Sequence, residues 1–364
     1  MKTKKIILII AVILIVSVII YFESTKPEVG KISRDTEIKI QETSNLADSG
    51  RIAIKAEKYE RAKELVNPEG YINIDNITIA ENLGKKVILI DFWTYSCINC
   101  QRTLPYLTTW YDKYEDDGLL IIGIHTPEFD FEKDYDNVKS AVEKWNINYP
   151  VVQDNDYQTW RAYNNRYWPR KYIIDIDGFI VYDHIGEGAY EETEELIQEL
   201  LKERSIVLNI TSEVEEEISV VKADKPESGK INTPEIYFGY DFSRNQMGNN
   251  EGWSPDEVVT YAFPEKIYPN KFYLLGEWKN NKDNMEAISE ESVVKIKYDA
   301  KIINIVAGSS EPKEITVIVD GVETKKIEVS DFDLYELNRE DDYAEHTLEL
   351  KVSKGVMLYT FTFG

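Results

Sequence analysis

Cysteine is almost absent: the 364-residue sequence contains two, Cys97 and Cys100. No disulfide framework is possible beyond that one pair. Histidine is scarce too, with three residues at positions 125, 184 and 346, none spaced with the cysteines as a zinc set requires. Structural zinc takes four such ligands, so no metal is expected, nor any other cofactor. An excess of positive charge is also missing: 42 Lys and Arg stand against 66 Asp and Glu, a net charge of −24. Such a chain repels a phosphate backbone, and nucleic acid is excluded as a partner. Internal repeats and low-complexity tracts are lacking.

One apolar run is long. Ile6 to Phe22 is uncharged and broken only by Ser17, and Lys2, Lys4 and Lys5 precede it. As a helix it reaches about 26 Å, near the lower limit for spanning a bilayer. The lysines place the following chain outside the cytoplasm. No small-x-small cleavage site follows the run. Residues 1–22 are therefore expected to be an uncleaved single-pass anchor in the cell membrane. Residues 23–66 read as a polar juxtamembrane spacer, with a helix predicted over Lys55–Val66 and closed by Pro68 and Gly70.

Residues 67–205 alternate strand and helix patterns, as an α/β unit with a central mixed sheet would. Val87 to Trp93 and Leu119 to Ile124 are continuous apolar runs suited to strands buried on both faces. A helix is predicted from Cys97 to Asp117, and others near 134–146, 156–164 and 191–204. Asp177-Gly178 signals a hairpin between strands at Lys171–Ile176 and Phe179–His184. Residues 206–230 read as a linker. From 231 to 364 the period becomes two, with Ile315, Val317 and Val319 alternating with polar residues. A second, all-β domain is predicted there, arranged as a sandwich.

Both cysteines fall in one C-x-x-C, Cys97-Ile98-Asn99-Cys100, between a buried strand and a helix. Cys97 is placed at the helix N-terminus, where free backbone N–H groups and the helix dipole favour a thiolate. Cys100 lies one turn on, on the same face, and can close a disulfide with Cys97. Cys97 is thus the expected nucleophile toward a substrate disulfide, and Cys100 the residue that resolves the mixed disulfide.

Three further elements carry a resemblance. Asp91-Phe92-Trp93 ahead of the C-x-x-C, Pro105 five residues after it, and Trp168-Pro169 before a strand resemble the thioredoxin superfamily. The strings DFWTYSCINCQRTLPYL, GIHTPEF and RYWPRKYIIDIDG are similar to the extracytoplasmic redox domains of the DipZ, TlpA and ResA group. TPEIYFGY at 233–240 resembles the opening of the carbohydrate-binding-module-like β domain of DipZ proteins. The resemblance implies a thioredoxin-like fold at 67–205 and a thiol–disulfide oxidoreductase. It makes Asp91 the buried carboxylate that moves the Cys100 proton. It makes Pro169 a cis proline facing the cysteines, with the Trp168 backbone free to pair with a substrate. Glu128 and Arg170, beside these segments, are candidate substrate-binding residues. Protein thiols and disulfides are the implied substrates. DipZ proteins carry a multi-helix electron-conducting membrane domain; a single anchor here implies a separate membrane electron donor or acceptor.

Two other readings stay open. Thr94 precedes Cys97 as in a peroxidatic T-x-x-C, although position 90 is Ile where that motif has proline. Trp253, Trp278 and Tyr240 could form a glycan-binding platform on the β domain, with the redox domain auxiliary.

Overall fold

The computed structural model describes residues 48–223, 230–242, 244–290 and 292–364. The anchor expected at 1–22 and most of the spacer lie outside these residues. Among the described residues no helix is long and apolar enough to cross a membrane. The described residues 48–58 belong to a unit of their own and carry helix α1, Asp48–Ala56.

The helix expected over Lys55–Val66 does not form beyond Ala56. Residues 59–66 are instead extended, because their backbone pairs with a distant hairpin. Ile180 N–H donates to Glu60 C=O at 2.9 Å, and Ala62 N–H to Gly178 C=O at 3.0 Å. Such pairing satisfies donors and acceptors that a helix would otherwise satisfy locally.

The α/β region contains strands β1 (Gly70–Ile72), β2 (Val87–Trp93), β3 (Leu119–His125), β4 (Val151–Gln153), β5 (Arg170–Ile174) and β6 (Ile180–Ile185). Its helices are α2 (Ile98–Tyr114), α3 (Tyr135–Lys144), α4 (Gln158–Ala162) and α5 (Tyr190–Leu208). The sheet order is β1-β4-β3-β2-β5-β6. β2 runs parallel to β3 and antiparallel to β5, so the sheet is mixed. Every residue of β2 and β3 is buried, as their unbroken apolar sequences require. One core cluster lies on the α2 and α5 side, around Leu89, Leu104, Trp110 and Leu201. The other contains Ile88, Ile90, Phe92 and Trp160. In the hairpin between β5 and β6, Gly178 takes φ +83° and the Asp175 carboxylate accepts from the N–H groups of Asp177 and Phe179.

Residues 211–223, part of the expected linker, are packed on this domain. Val214, Val221 and Ala223 pack against its core. The buried Glu194 carboxylate accepts from Trp110 Nε1, Tyr114 Oη and the backbone and hydroxyl of Ser219. That buried acceptor on α5 explains why the segment is held rather than free.

The C-terminal region is all-β: β7 (Ile236–Tyr237), β8 (Val258–Tyr261), β9 (Phe272–Asn280), β10 (Met285–Ala287), β11 (Ser292–Gly308), β12 (Lys313–Val319), β13 (Val322–Val329), β14 (Asp333–Val352) and β15 (Met357–Phe363). The strands expected at 293–298 and 302–306 are one 17-residue strand, β11, with an irregularity between Ala300 and Ile302. All of these strands join a single hydrogen-bonded network rather than two separate sheets. The first half of β11 pairs with β9 and its second half with β15, while β14 pairs along almost its whole length. The ladder β11-β15-β10-β9 thereby returns to β11, around a core containing Trp278, Ile296, Leu350 and Phe361.

Candidate active site

Because β2 is fully buried and ends at Trp93, the next residues emerge at the C-terminal edge of the sheet. Cys97 is the N-cap of α2, with extended backbone (φ −77°, ψ 118°), and its carbonyl receives the first helical hydrogen bond, from Gln101 N–H at 3.0 Å. Cys97 is half-buried, whereas Cys100, one turn inside the helix, is 1% exposed. Both are free thiols in this structure. Solvent reaches one residue and hardly the other, and this division separates an attacking from a resolving cysteine. Burial pushes the Cys100 thiol well up, with Cys97 and the Asp91 charge adding to it.

Asp91 sits in the middle of β2, 1% exposed. Neither of its carboxylate oxygens has a hydrogen-bond partner among the described residues. Burial pushes its pKa up to about 7, opposed by the Lys171 ammonium. A carboxyl group near 7 exchanges its proton at neutral pH, as a general acid–base group must. Asp91 therefore does not cap the backbone at a strand end.

Lys171 was not singled out in the sequence. It is directly opposite Asp91 in the β2–β5 ladder and has no exposed surface. Its Nζ donates to Gly186 C=O at 3.2 Å, and burial lowers its pKa against the pull of Asp91 and Cys100. A lysine inside the apolar run RKYIID was the one available signal. Tyr149 was missed as well: it is wholly buried, and its hydroxyl lacks a partner among the described residues. Burial pushes its pKa well up, and the Asp91 and Cys100 charges add to this.

Pro169 is buried and follows a cis peptide bond from Trp168. Since β5 is antiparallel to β2, with Arg170 opposite Phe92, this bond lies at the sheet edge where the cysteines emerge. Trp168 is half-buried; its Nε1–H donates to Thr126 C=O at 2.9 Å and its ring centroid lies 4.3 Å from that of Trp160. Pro105 lies within α2. Arg170 forms a two-pronged ion pair with Asp183 (2.8 and 2.6 Å) and lies over the Tyr172 ring. Its guanidinium is thus committed within the sheet.

Glu128 is at the same edge, but its partner is in the β region. Tyr237 Oη lies 2.8 Å from Glu128 Oε1 and 3.2 Å from Glu235 Oε2. Burial pushes Glu128 up to about 8, helped by Glu235 and Glu132. His125 is wholly buried, stacked on Tyr95, and burial lowers it to about 3, so it is neutral at physiological pH. Of the aromatic residues considered for a glycan platform, Trp278 is in the core with no exposed surface, and half-buried Trp253 donates Nε1–H to Phe238 C=O. Core packing, the alternative to a platform, accounts for Trp278 and Trp253, and the half-buried Tyr240 donates its hydroxyl to Asp256 Oδ1 at 3.1 Å. No group of three or more His, Cys, Asp or Glu side chains suited to a metal occurs among the described residues.

A helix-capping C-x-x-C over a buried carboxylate, at a mixed sheet edge shared with a cis proline, defines a thioredoxin-like redox domain. Known proteins agree. Residues 60–183 match the AhpC/TSA family, and residues 233–364 the family described as thioredoxin like C-terminal domain. The chain is 34% identical over 346 residues to Protein DipZ of Mycobacterium bovis, covering 92% of this chain and 48% of DipZ. The chain thus spans about half the length of that relative. The thiol-disulfide oxidoreductase YkuV of Bacillus subtilis is 27% identical over 140 residues, 38% of this chain and 93% of YkuV. ResA of Bacillus thuringiensis is 29% identical over 150 residues, 40% of this chain and 82% of ResA. A solution structure of an oxidised thioredoxin-like protein aligns with 40% of this chain and 97% of its own length, at 26% identity and a TM-score of 0.37. The chain is thus similar to DipZ and to the thiol-disulfide oxidoreductases YkuV and ResA, and it has a thioredoxin-like domain followed by an all-β region.

Proposed function

We propose that the protein exchanges disulfides with extracytoplasmic protein thiols through Cys97 and Cys100. The unequal exposure of the two cysteines carries this reading. The Cys97 thiolate attacks one sulfur of a substrate disulfide. That S–S bond breaks, a Cys97–substrate disulfide forms, and the departing substrate sulfur takes a proton. Cys100 then gives its proton to Asp91 and attacks the Cys97 sulfur, releasing the second substrate thiol. The substrate gains two electrons and the enzyme pair loses them; the reverse sequence oxidises a dithiol. In this reading the Trp168–Pro169 segment receives the substrate backbone.

The anchor at residues 1–22 would hold this site outside the cell membrane, where disulfides persist. A separate membrane donor or acceptor then recycles the pair. Peroxidase chemistry is less well supported: position 90 is a buried isoleucine inside β2, and the Thr94 hydroxyl is 3.4 Å from His125 Nε2.

The test is trapping of mixed disulfides in the membrane-anchored chain. Cys100→Ser should accumulate a substrate adduct on Cys97, and Cys97→Ser should accumulate none. Equal trapping by both variants would sink the assigned roles.

A further inference from the structure

The loop between β3 and α3 touches the redox turn on one side and the β region on the other. Its centre is Glu132, which has no exposed surface. Oε1 accepts from Ser96 Oγ–H at 2.7 Å and Ser96 N–H at 3.3 Å. Oε2 accepts from the N–H groups of Glu128 at 2.6 Å and Phe129 at 2.9 Å. One carboxylate thus binds the residue before Cys97 and also the two residues that open the loop. Four donors on one buried acid make a rigid joint, since each would lose a partner if it moved.

Beyond that joint the loop enters the β region. Phe129 and Phe131 lie 5.1 and 4.7 Å from the Tyr359 ring, and Phe131 lies 5.3 Å from Phe332. Asp130 N–H donates to Asp283 Oδ2 at 3.3 Å. Phe131 is also 6.0 Å from Tyr95, within the turn that leads to Cys97. Neither contact can shift without moving the other.

We propose that Glu132 is a positioning residue for thiol–disulfide exchange, holding the turn that carries Cys97 in register with the C-terminal β region. Docking of that region would then set the redox equilibrium of the Cys97–Cys100 pair. The proposal rests on the reading of that pair as a reversible dithiol. Glu132 touches neither sulfur and acts through Ser96. A fixed turn keeps the two sulfurs oriented for bond formation. Freeing it lowers the tendency to close the disulfide and so favours the dithiol.

The experiment equilibrates the full chain with dithiothreitol buffers and reads the disulfide fraction by alkylation and mass. Glu132→Gln keeps the volume but turns an NH2 group toward N–H donors. It should shift the equilibrium toward the dithiol about tenfold, or about 30 mV for a two-electron couple. Phe131→Ala loosens the β contact without changing charge and should shift it in the same direction by about threefold. Should Glu132→Gln fail to fold, Phe131→Ala and Phe332→Ala carry the test. Variants within about twofold of the parent, with only a lower melting temperature, overturn the proposal while leaving the exchange reading intact. A shift in Glu132→Gln with none in Phe131→Ala overturns the link to the β region. A parent chain with no reversible couple overturns the exchange reading and this proposal together.

Discussion

Buried polar side chains behave differently in the two halves of the molecule. In the β region most are tied down, Ser309 Oγ and His346 Nε2 being exceptions among the described residues. Asn280 binds Ser254 N–H, Tyr261 Oη and two carbonyls, and Asn249 binds Leu274 through both its N–H and its C=O. Around the cysteines, Asp91, Trp93 Nε1, Tyr95 Oη, Tyr149 Oη and His125 Nδ1 are buried without partners among the described residues. An unpaired buried polar group costs about 1–3 kcal/mol. A fold retains a cluster of them where chemistry needs groups free to change protonation. The comparison teaches that polarity alone does not mark a site; a cluster of partnerless groups around reactive side chains does.

The sharpest way to break this contrast is at the cysteines. Cys97→Ser should lower reduction of a model disulfide by about 10³-fold or more, because thiolate attack is lost. Activity within tenfold of the parent would remove the site from this helix.

Asp91→Asn comes next and should act in two ways. Turnover near neutral pH should fall by about 10- to 100-fold with loss of the proton carrier. Stability should rise, with a defined pH dependence. The folded pKa, about 7, is above the ordinary 3.8. The protonated form is therefore favoured by folding, and Asp91's contribution is fully present below about 3.8 and lost as pH rises to about 7. At 1.36 kcal/mol per pH unit the variant gains up to about 4 kcal/mol above pH 7 and nothing below pH 4. Urea unfolding at pH 4 and pH 8 checks this; equal gains at both would show that Asp91 is not a buried titrating acid.

Asn280→Ala tests the other half. Losing its partners in the β core should cost about 2–4 kcal/mol while leaving the redox equilibrium within about twofold. A smaller effect is expected from Glu128→Gln, whose folded pKa of about 8 is above the ordinary 4.5. The same sign applies: its contribution fades as pH rises through 8. The linkage ceiling is about 5 kcal/mol, but Glu128 is only half-buried and hydrogen-bonded to Tyr237, so solvent screening and that bond leave a gain of about 1–2 kcal/mol at pH 9 and little at pH 4. Arg170→Ala should cost under about 1 kcal/mol, because its pair with Asp183 is partly exposed. A larger loss of turnover than of stability would return it to substrate binding.

Much of the redox half was legible because its signals are local. The apolar runs of β2 and β3, the C-x-x-C at a helix start and Asp177-Gly178 at a turn each need only a few neighbouring residues. Partners far along the chain were not legible. Glu128 was a candidate for substrate binding, and its hydrogen bond to Tyr237, 109 positions away, could not be read from its neighbours in sequence. The helix expected at Lys55–Val66 gave way to pairing with residues near 178–180. β11 was read as two strands because Asp299-Ala300-Lys301 resembles a break, yet pairing with β14 carries the chain through it. Trp278 looked like a platform because an aromatic ring in a strand carries no mark of which face it takes.

Phe131 and its partner Tyr359 are separated by about 230 residues of chain. Chains emerge from the ribosome N-terminus first, and their domains fold in that order. The redox half can therefore gather its cysteines long before β15 has been made. Until that strand arrives, the two phenylalanines beside the active site lack the Tyr359 ring that both of them meet. Synthesis passes through an interval in which the thiols are in place but the wall behind their loop is incomplete, and β15 completes it.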